Sequence, residues 1–262
     1  MDDQLRAVVR SAGSAIMDVY RTDFSVEQKN DESPVTMADR RSHEILAAYL
    51  EKRYPFPILS EEGKGVPYEE RRTWETFWLI DPLDGTKEFI KRNGEFTINV
   101  ALVHRDRVVL GIIYTPATDV LYYASQGDGA YKVEQGMTSR LPIEAVRNQF
   151  VVVGSRSHTT TSFEAYVGLL RGRYGDVKII SAGSSLKFCL IAEGAADVYP
   201  RYGHTMEWDT AAGQVIVEEA GGSVINAATG RPLTYDKESL LNPHFVAFRR
   251  KDEWTSLEDR LP

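Results

Sequence analysis

The stretch Phe77-Trp78-Leu79-Ile80-Asp81-Pro82-Leu83-Asp84-Gly85-Thr86-Lys87-Glu88-Phe89 decides how this chain reads. Its first four residues form an aromatic and branched run, the pattern of a buried strand. Asp81 then falls at the strand's end, where a sheet meets its ligand crevice. Pro82 lacks a backbone donor and stops further pairing, and Gly85 allows a sharp turn. Asp81 and Asp84 are thereby brought together, beside the Thr86 hydroxyl and several loop amides. Two carboxylates in one turn repel each other unless a cation neutralises them. Hard oxygen ligands in that setting suit Mg²⁺.

Upstream of this segment the chain reads as helix. Residues 3–20 place Leu5, Val8, Val9, Ala12, Ala15, Ile16 and Val19 on one face. A polar link at 29–34 leads to a helix over 36–53, with Thr36 as its N-cap and Ile45, Leu46 and Leu50 turned inward. A short strand at 57–60 runs into Glu61-Glu62-Gly63. Downstream the pattern is strand after strand, at 96–104, 108–114, 120–124 and 130–133, with turn signals such as Gly127-Asp128-Gly129. That series predicts a mostly antiparallel sheet. From residue 150 the types alternate: strands at 150–153, 177–180, 196–199, 223–225 and 245–248, and helices at 161–170, 184–193 and 208–220. The expected fold is a layered α+β/α/β arrangement with two sheets and intervening helices. One unit spans 1–262, divisible into tightly packed halves at 1–147 and 148–262.

Bulk properties narrow the function classes. A net charge of −7 argues against binding a nucleic-acid polymer, although a local cation site can still serve a small anionic substrate. Cys189 is the single cysteine, which rules out an internal disulfide, and on an apolar helix it reads as a small core residue. The acidic, polar start is unlike a secretory signal, and no apolar run is long enough to span a bilayer. A cytoplasmic location is the expectation, with peripheral association to the inner membrane left open. The histidines are scattered, with no metal-ligand spacing, and the four tryptophans read as core or boundary residues.

Asp39, Glu61-Glu62, Asp81/Asp84 and Asp209 each fall at an expected helix or strand terminus. Singly, Asp39 would complete a capping box with Thr36, Glu61-Glu62 would be a solvated loop, and Asp209 would complement a helix dipole. Asp81 and Asp84 are harder to explain as a turn alone. A second signal is Trp208-Asp209-Thr210-Ala211-Ala212-Gly213, whose small residues suggest close helix packing, with Gly221-Gly222 ending that helix.

Asp81-Pro82-Leu83-Asp84-Gly85-Thr86, with the distant Trp208–Gly213 segment and a preceding Ser60-Glu61-Glu62-Gly63, resembles the inositol monophosphatase superfamily of Mg²⁺-dependent, Li⁺-sensitive phosphatases. Residues 81–96, 183–189 and 199–201 are most similar to its bacterial 3′(2′),5′-bisphosphate nucleotidase (CysQ-type) branch. His204 stands where that branch often carries proline. The resemblance implies an αβαβα sandwich of the sugar-phosphatase type, holding two or three Mg²⁺. It makes Glu61, Asp81, Asp84, Asp209 and the Leu83 carbonyl metal ligands. Thr86, linked to Asp39, would orient and deprotonate the attacking water, with Glu61 assisting. Gly85 and Thr86 amides would hold phosphate oxygens, and Asp209 would also border the substrate.

The substrate's other phosphate needs further donors. Arg201 offers a fork suited to it, and Lys187, with Ser184 and Ser185 at the same helix start, offers an ammonium and hydroxyls. Residues 155–158 read as a nucleotide-side loop, with His158 a surface histidine. The implied activity is hydrolysis of the 3′-phosphate of adenosine 3′,5′-bisphosphate to AMP, clearing a by-product of sulfate assimilation, with the phosphosulfated analogue as a second substrate. Inositol monophosphatase or fructose bisphosphatase activity is the alternative with the same chemistry. A non-catalytic nucleotide or phosphate sensor is the alternative of another class.

Overall fold

The run Phe77–Ile80 is apolar without alternation because both faces of its strand are covered. In the computed structural model of the chain, which describes residues 2–22, 34–143, 149–156 and 161–251, this strand is second in a seven-stranded sheet. The first half comprises α1 (Asp3–Tyr20), α2 (Pro34–Arg53), β1 (Ile58–Ser60), α3 (Tyr68–Arg71), β2 (Thr76–Asp84), α4 (Thr86–Ile90), β3 (Thr97–His104), β4 (Arg107–Thr115), β5 (Val120–Ser125), β6 (Gly129–Glu134) and β7 (Met137–Arg140). The second comprises β8 (Phe150–Ser155), α5 (Thr161–Tyr174), β9 (Val177–Ala182), α6 (Leu186–Glu193), β10 (Val198–Arg201), α7 (Glu207–Glu219), β11 (Ser223–Asn226) and β12 (Phe245–Phe248).

The first sheet keeps chain order from β1 to β7; β1 and β2 are parallel and every other neighbouring pair is antiparallel. The second sheet has the order β11-β12-β10-β8-β9, with β8 parallel to both β9 and β10. Trp78 and Ile80 on one face of β2 pack against α1 and α2. Phe77 and Leu79 on the other face pack against α6 and α7. That middle core continues through Phe188 and Val215 to Val151, Val153, Tyr199 and Phe245 of the second sheet. Tyr166, Val167 and Leu170 of α5 close the far face. The layers are therefore α, β, α, β, α, as expected, and one core runs between the halves. Among the described residues no helix is long and apolar enough to cross a membrane.

Several local expectations need correction. β2 does not stop at Ile80: it runs to Asp84, with a register shift between Asp81 and Asp84. Pro82 lies in that irregularity, where no ladder donor is required. α2 starts at Pro34, so Thr36 lies inside the helix and is not its N-cap. Proline suits a first turn, because its missing N–H would have no helical partner there. Asp39 consequently sits within α2 and not at a terminus. Arg201 is the last residue of β10 and does not follow it. The link at 29–33, the boundary at 147, and Ser157 and His158 lie outside the described residues.

Candidate active site

Strand pairing brings the first two acids together. Glu61 continues the β1 pairing by one residue, its N–H donating to the Ile80 carbonyl at 3.2 Å, which sets it beside Asp81. Alternation along β2 turns Asp81 to the same side as Phe77 and Leu79, toward α7. Asp209, in the first turn of α7, meets it there. Glu61, Asp81 and Asp209 each offer a carboxylate oxygen, and these oxygens lie within 4.8 Å of one another. Local bonds hold two of them: Asp81 Oδ1 accepts from the Leu83 N–H at 3.0 Å, and Asp209 Oδ2 from the Met206 N–H at 2.7 Å.

Asp84 is the principal like charge acting on each acid of this triplet, and it is held by groups the sequence did not reveal. Its carboxylate accepts from Asn99 Nδ2 at 3.5 Å and from the Ser185 N–H. The Ser185 hydroxyl lies 2.7 Å from Asn99 Oδ1 and from Thr97 Oγ1. Thr97, Asn99 and Ser185 are all buried. Two polar residues at i and i+2 of an otherwise apolar strand were the available signal: they share one face, and a buried face demands partners. α2 contributes more contacts of this kind. Ser42 Oγ donates to the Pro82 carbonyl at 2.8 Å, and His43 Nδ1 lies 2.9 Å from Ser60 Oγ. One helix thus braces the segments that carry Asp81 and Glu61.

The cluster is electrostatically unbalanced. Burial, then Asp84, Glu61, Asp209 and Asp39, hold the Asp81 carboxyl well above its ordinary range. Burial and Asp84 raise Asp209 to about 8, and burial with Glu62 and Glu61 raises Asp39 to about 8. Burial also raises Asp84, which Lys187, the Ser185 N–H and Asn99 oppose. Asp39 Oδ1 is buried with no hydrogen-bond partner. A hard divalent cation would meet this set: all donors are oxygens, and Lys187 and Arg201 offset only part of their negative charge.

A cleft of about 200 Å³ opens beside Asp84 and Asp209. Gly85, Thr86, Ser184, Lys187, Arg201 and Asp209, the residues expected to face substrate, all line it. Their donors differ in readiness. Ser184 Oγ and Arg201 Nε are buried without partners, and Ser184 has a positive φ of 43° that a serine rarely adopts. Arg201 Nη2 donates to the His204 carbonyl at 2.9 Å, which fixes the guanidinium. The Lys187 ammonium is buried and donates to the carbonyls of Ala182, at 3.3 Å, and Ser184. Thr86 is exposed, and no hydrogen bond joins it to Asp39, so the expected pair is not assembled here.

The family model for the inositol monophosphatase family matches residues 1–257. This chain belongs to that family. The 3′(2′),5′-bisphosphate nucleotidase CysQ of Salmonella typhimurium is 46% identical over 94% of this chain and 98% of its own length. That of Escherichia coli K12 is 45% identical over the same shares. The crystal structure of CysQ from Bacteroides thetaiotaomicron superposes with a TM-score of 0.88 at 47% identity, covering 93% of this chain and 95% of that one. An inositol monophosphatase from Zymomonas mobilis follows at 0.75 and 25%, covering 95% and 93%. The family's enzymes are metal-dependent phosphatases, and the carboxylates gathered here are consistent with that.

Proposed function

We propose that this chain is a Mg²⁺-dependent phosphatase that removes the 3′-phosphate of adenosine 3′,5′-bisphosphate, giving AMP and phosphate. The observation that carries the reading is one cleft joining two unlike features. The acidic cluster at Asp84 and Asp209 opens into it, and the unpartnered donors of Ser184 and Arg201 line it. A substrate with two phosphates uses both. Glu61, Asp81, Asp84 and Asp209, with the Leu83 carbonyl, would hold the cations. When bound, those cations neutralise the transferring phosphate and supply a water nucleophile at neutral pH. Asp39 holds a proton up to about pH 8 in the metal-free protein and serves as a proton acceptor only once ionised, and Thr86 lines the cleft, where it orients the nucleophile on substrate binding. Gly85 approaches the phosphate with no side chain in the way. Arg201 and Ser184 hold the 5′-phosphate, with Lys187 adding positive charge behind them. The phosphosulfated analogue of the same nucleotide presents the same 3′-phosphate and is a second substrate.

The Zymomonas relative favours a second reading, in which the same centre acts on inositol monophosphate. A phosphate-release panel with and without Mg²⁺ separates the two. Adenosine 3′,5′-bisphosphate is expected to give the highest kcat/KM, with no release under chelation. Preference for inositol monophosphate or fructose 1,6-bisphosphate overturns the substrate assignment. Binding of the nucleotide with no turnover overturns the catalytic one in favour of a sensor.

A further inference from the structure

Three chain segments meet behind the Ser184 side of the cleft, and one ion pair joins them. Glu95 lies between α4 and β3, and Arg156 directly follows β8. Arg156 donates to the Glu95 carboxylate through Nε at 2.8 Å and Nη2 at 2.6 Å, a two-point fork. Nη2 also donates to the Ser181 carbonyl at 3.0 Å. The Glu95 carboxylate accepts in addition from the Gly183 N–H at 2.8 Å. Gly183 is pressed against this segment: a Cβ there would lie 2.5 Å from Glu88 Cγ and 2.8 Å from the Glu95 carbonyl oxygen. Gly85 is pressed against it from the catalytic side, where a Cβ would lie 3.1 Å from Ser184 Cβ and 3.2 Å from the Glu95 carbonyl oxygen. Glu95 therefore touches the loop of the metal-binding motif and the loop that holds Ser184 in its strained backbone with its hydroxyl unpartnered.

We infer that Glu95 and Arg156 are positioning residues for the second phosphate: their ion pair latches the end of β9 and the turn at 183–184 so that Ser184 faces the cleft, and it thereby favours a bisphosphate over a monophosphate. The inference rests on the reading given under Proposed function. Neither side chain lines the cleft, so the latch acts through Gly183 and Ser184. The Arg156 side chain is 44% exposed, and pairs of that kind contribute little to global stability, so its loss acts on the loop and not on folding.

The test uses the full chain with Mg²⁺ and the variants Glu95→Ala, Glu95→Gln and Arg156→Ala. Steady-state kinetics are measured on adenosine 3′,5′-bisphosphate and on 3′-AMP, and amide hydrogen exchange over residues 181–186. Glu95→Ala is expected to raise KM for the bisphosphate about tenfold, with kcat and the 3′-AMP kcat/KM within about twofold of wild type. Arg156→Ala shifts KM in the same direction. Glu95→Gln keeps an acceptor for the Gly183 N–H but loses the charged fork, so its KM is expected between those of wild type and Glu95→Ala. Exchange at Gly183 and Ser184 speeds up in Glu95→Ala and is unchanged in the first sheet. Equal losses on both substrates, or a fall in kcat at constant KM, overturn the specificity role. Unaltered exchange at Gly183 overturns the latch itself, whatever the substrate. A wild-type enzyme that shows no preference for the bisphosphate overturns the nucleotidase reading, and the exchange result still judges the latch.

Discussion

Asp84 has a cation and two donors beside it, whereas Asp209 has Arg201 and the Met206 N–H, and Asp81 the Leu83 N–H. Lys187, the Ser185 N–H and Asn99 Nδ2 all favour its ionised form against burial. Asp84→Asn keeps the shape and removes the charge. It is expected to lower kcat/KM at least about 100-fold, equivalent to about 3 kcal/mol of transition-state stabilisation, with an unchanged far-UV circular dichroism spectrum. Turnover near wild type would remove Asp84 from the centre. Asn99 reaches the centre only through Asp84 and Ser185, so Asn99→Ala leaves the ligands in place but releases their orientation. Supporting groups of this kind are worth about 10–100-fold in metal affinity or activity. The Mg²⁺ concentration for half-maximal activity is expected to rise by that factor, and an unchanged Mg²⁺ dependence would make the Asn99 network purely structural.

At the scale of elements, α7 has to be thin where it meets its neighbours. A Cβ on Gly213 would lie 2.4 Å from Phe188 Cγ of α6, and a Cβ on Gly111 of β4 would lie 2.7 Å from the Ala212 carbonyl oxygen. Gly213→Ala gains about 1 kcal/mol of helix propensity and incurs about 1–3 kcal/mol of overpacking. The clash reaches the Phe188 Cβ, at 2.8 Å, as well as its ring, so a ring rotation alone cannot relieve it and overpacking wins. Urea unfolding is expected to show a net loss of up to about 2 kcal/mol, and a stabilised variant would mean that the helices can part. The small residues of this helix were visible in the sequence, as were most strands of both sheets, because apolar periodicity reports burial directly. The acids were visible because their segments are distinctive. What escaped was set by tertiary partners. The bulge that carries β2 through Pro82 depends on pairing with β3, and the polar pair Thr97 and Asn99 acquires meaning only opposite Ser185 and Asp84. The roles of Ser42 and His43 follow from where α2 lands, and periodicity says nothing about that.

On the scale of the whole molecule, the proposed metal centre would join the two proposed halves. Glu61 and Asp81 come from the first sheet and Asp209 from a helix of the second half, so mutually repelling charges are gathered at a junction of layers. In the metal-free protein Asp39 and Asp209 bind protons up to about pH 8, against an ordinary value of 3.8. Between those limits the folded state holds more protons than the unfolded chain, so stability falls as pH rises from about 4 to about 8 and levels off above. A divalent cation bound by the cluster reverses the preference, since it requires ionised ligands and must displace protons at lower pH. The gain in melting temperature from saturating Mg²⁺ over a chelator, compared at the same pH, cancels the titration of groups remote from the centre. That gain is expected to be larger at pH 8 than at pH 6. Differential scanning fluorimetry across this range checks it. A gain that is flat, or larger at pH 6, would mean that the cation binds without competing for these protons, and the carboxylates of the two halves would not form one centre.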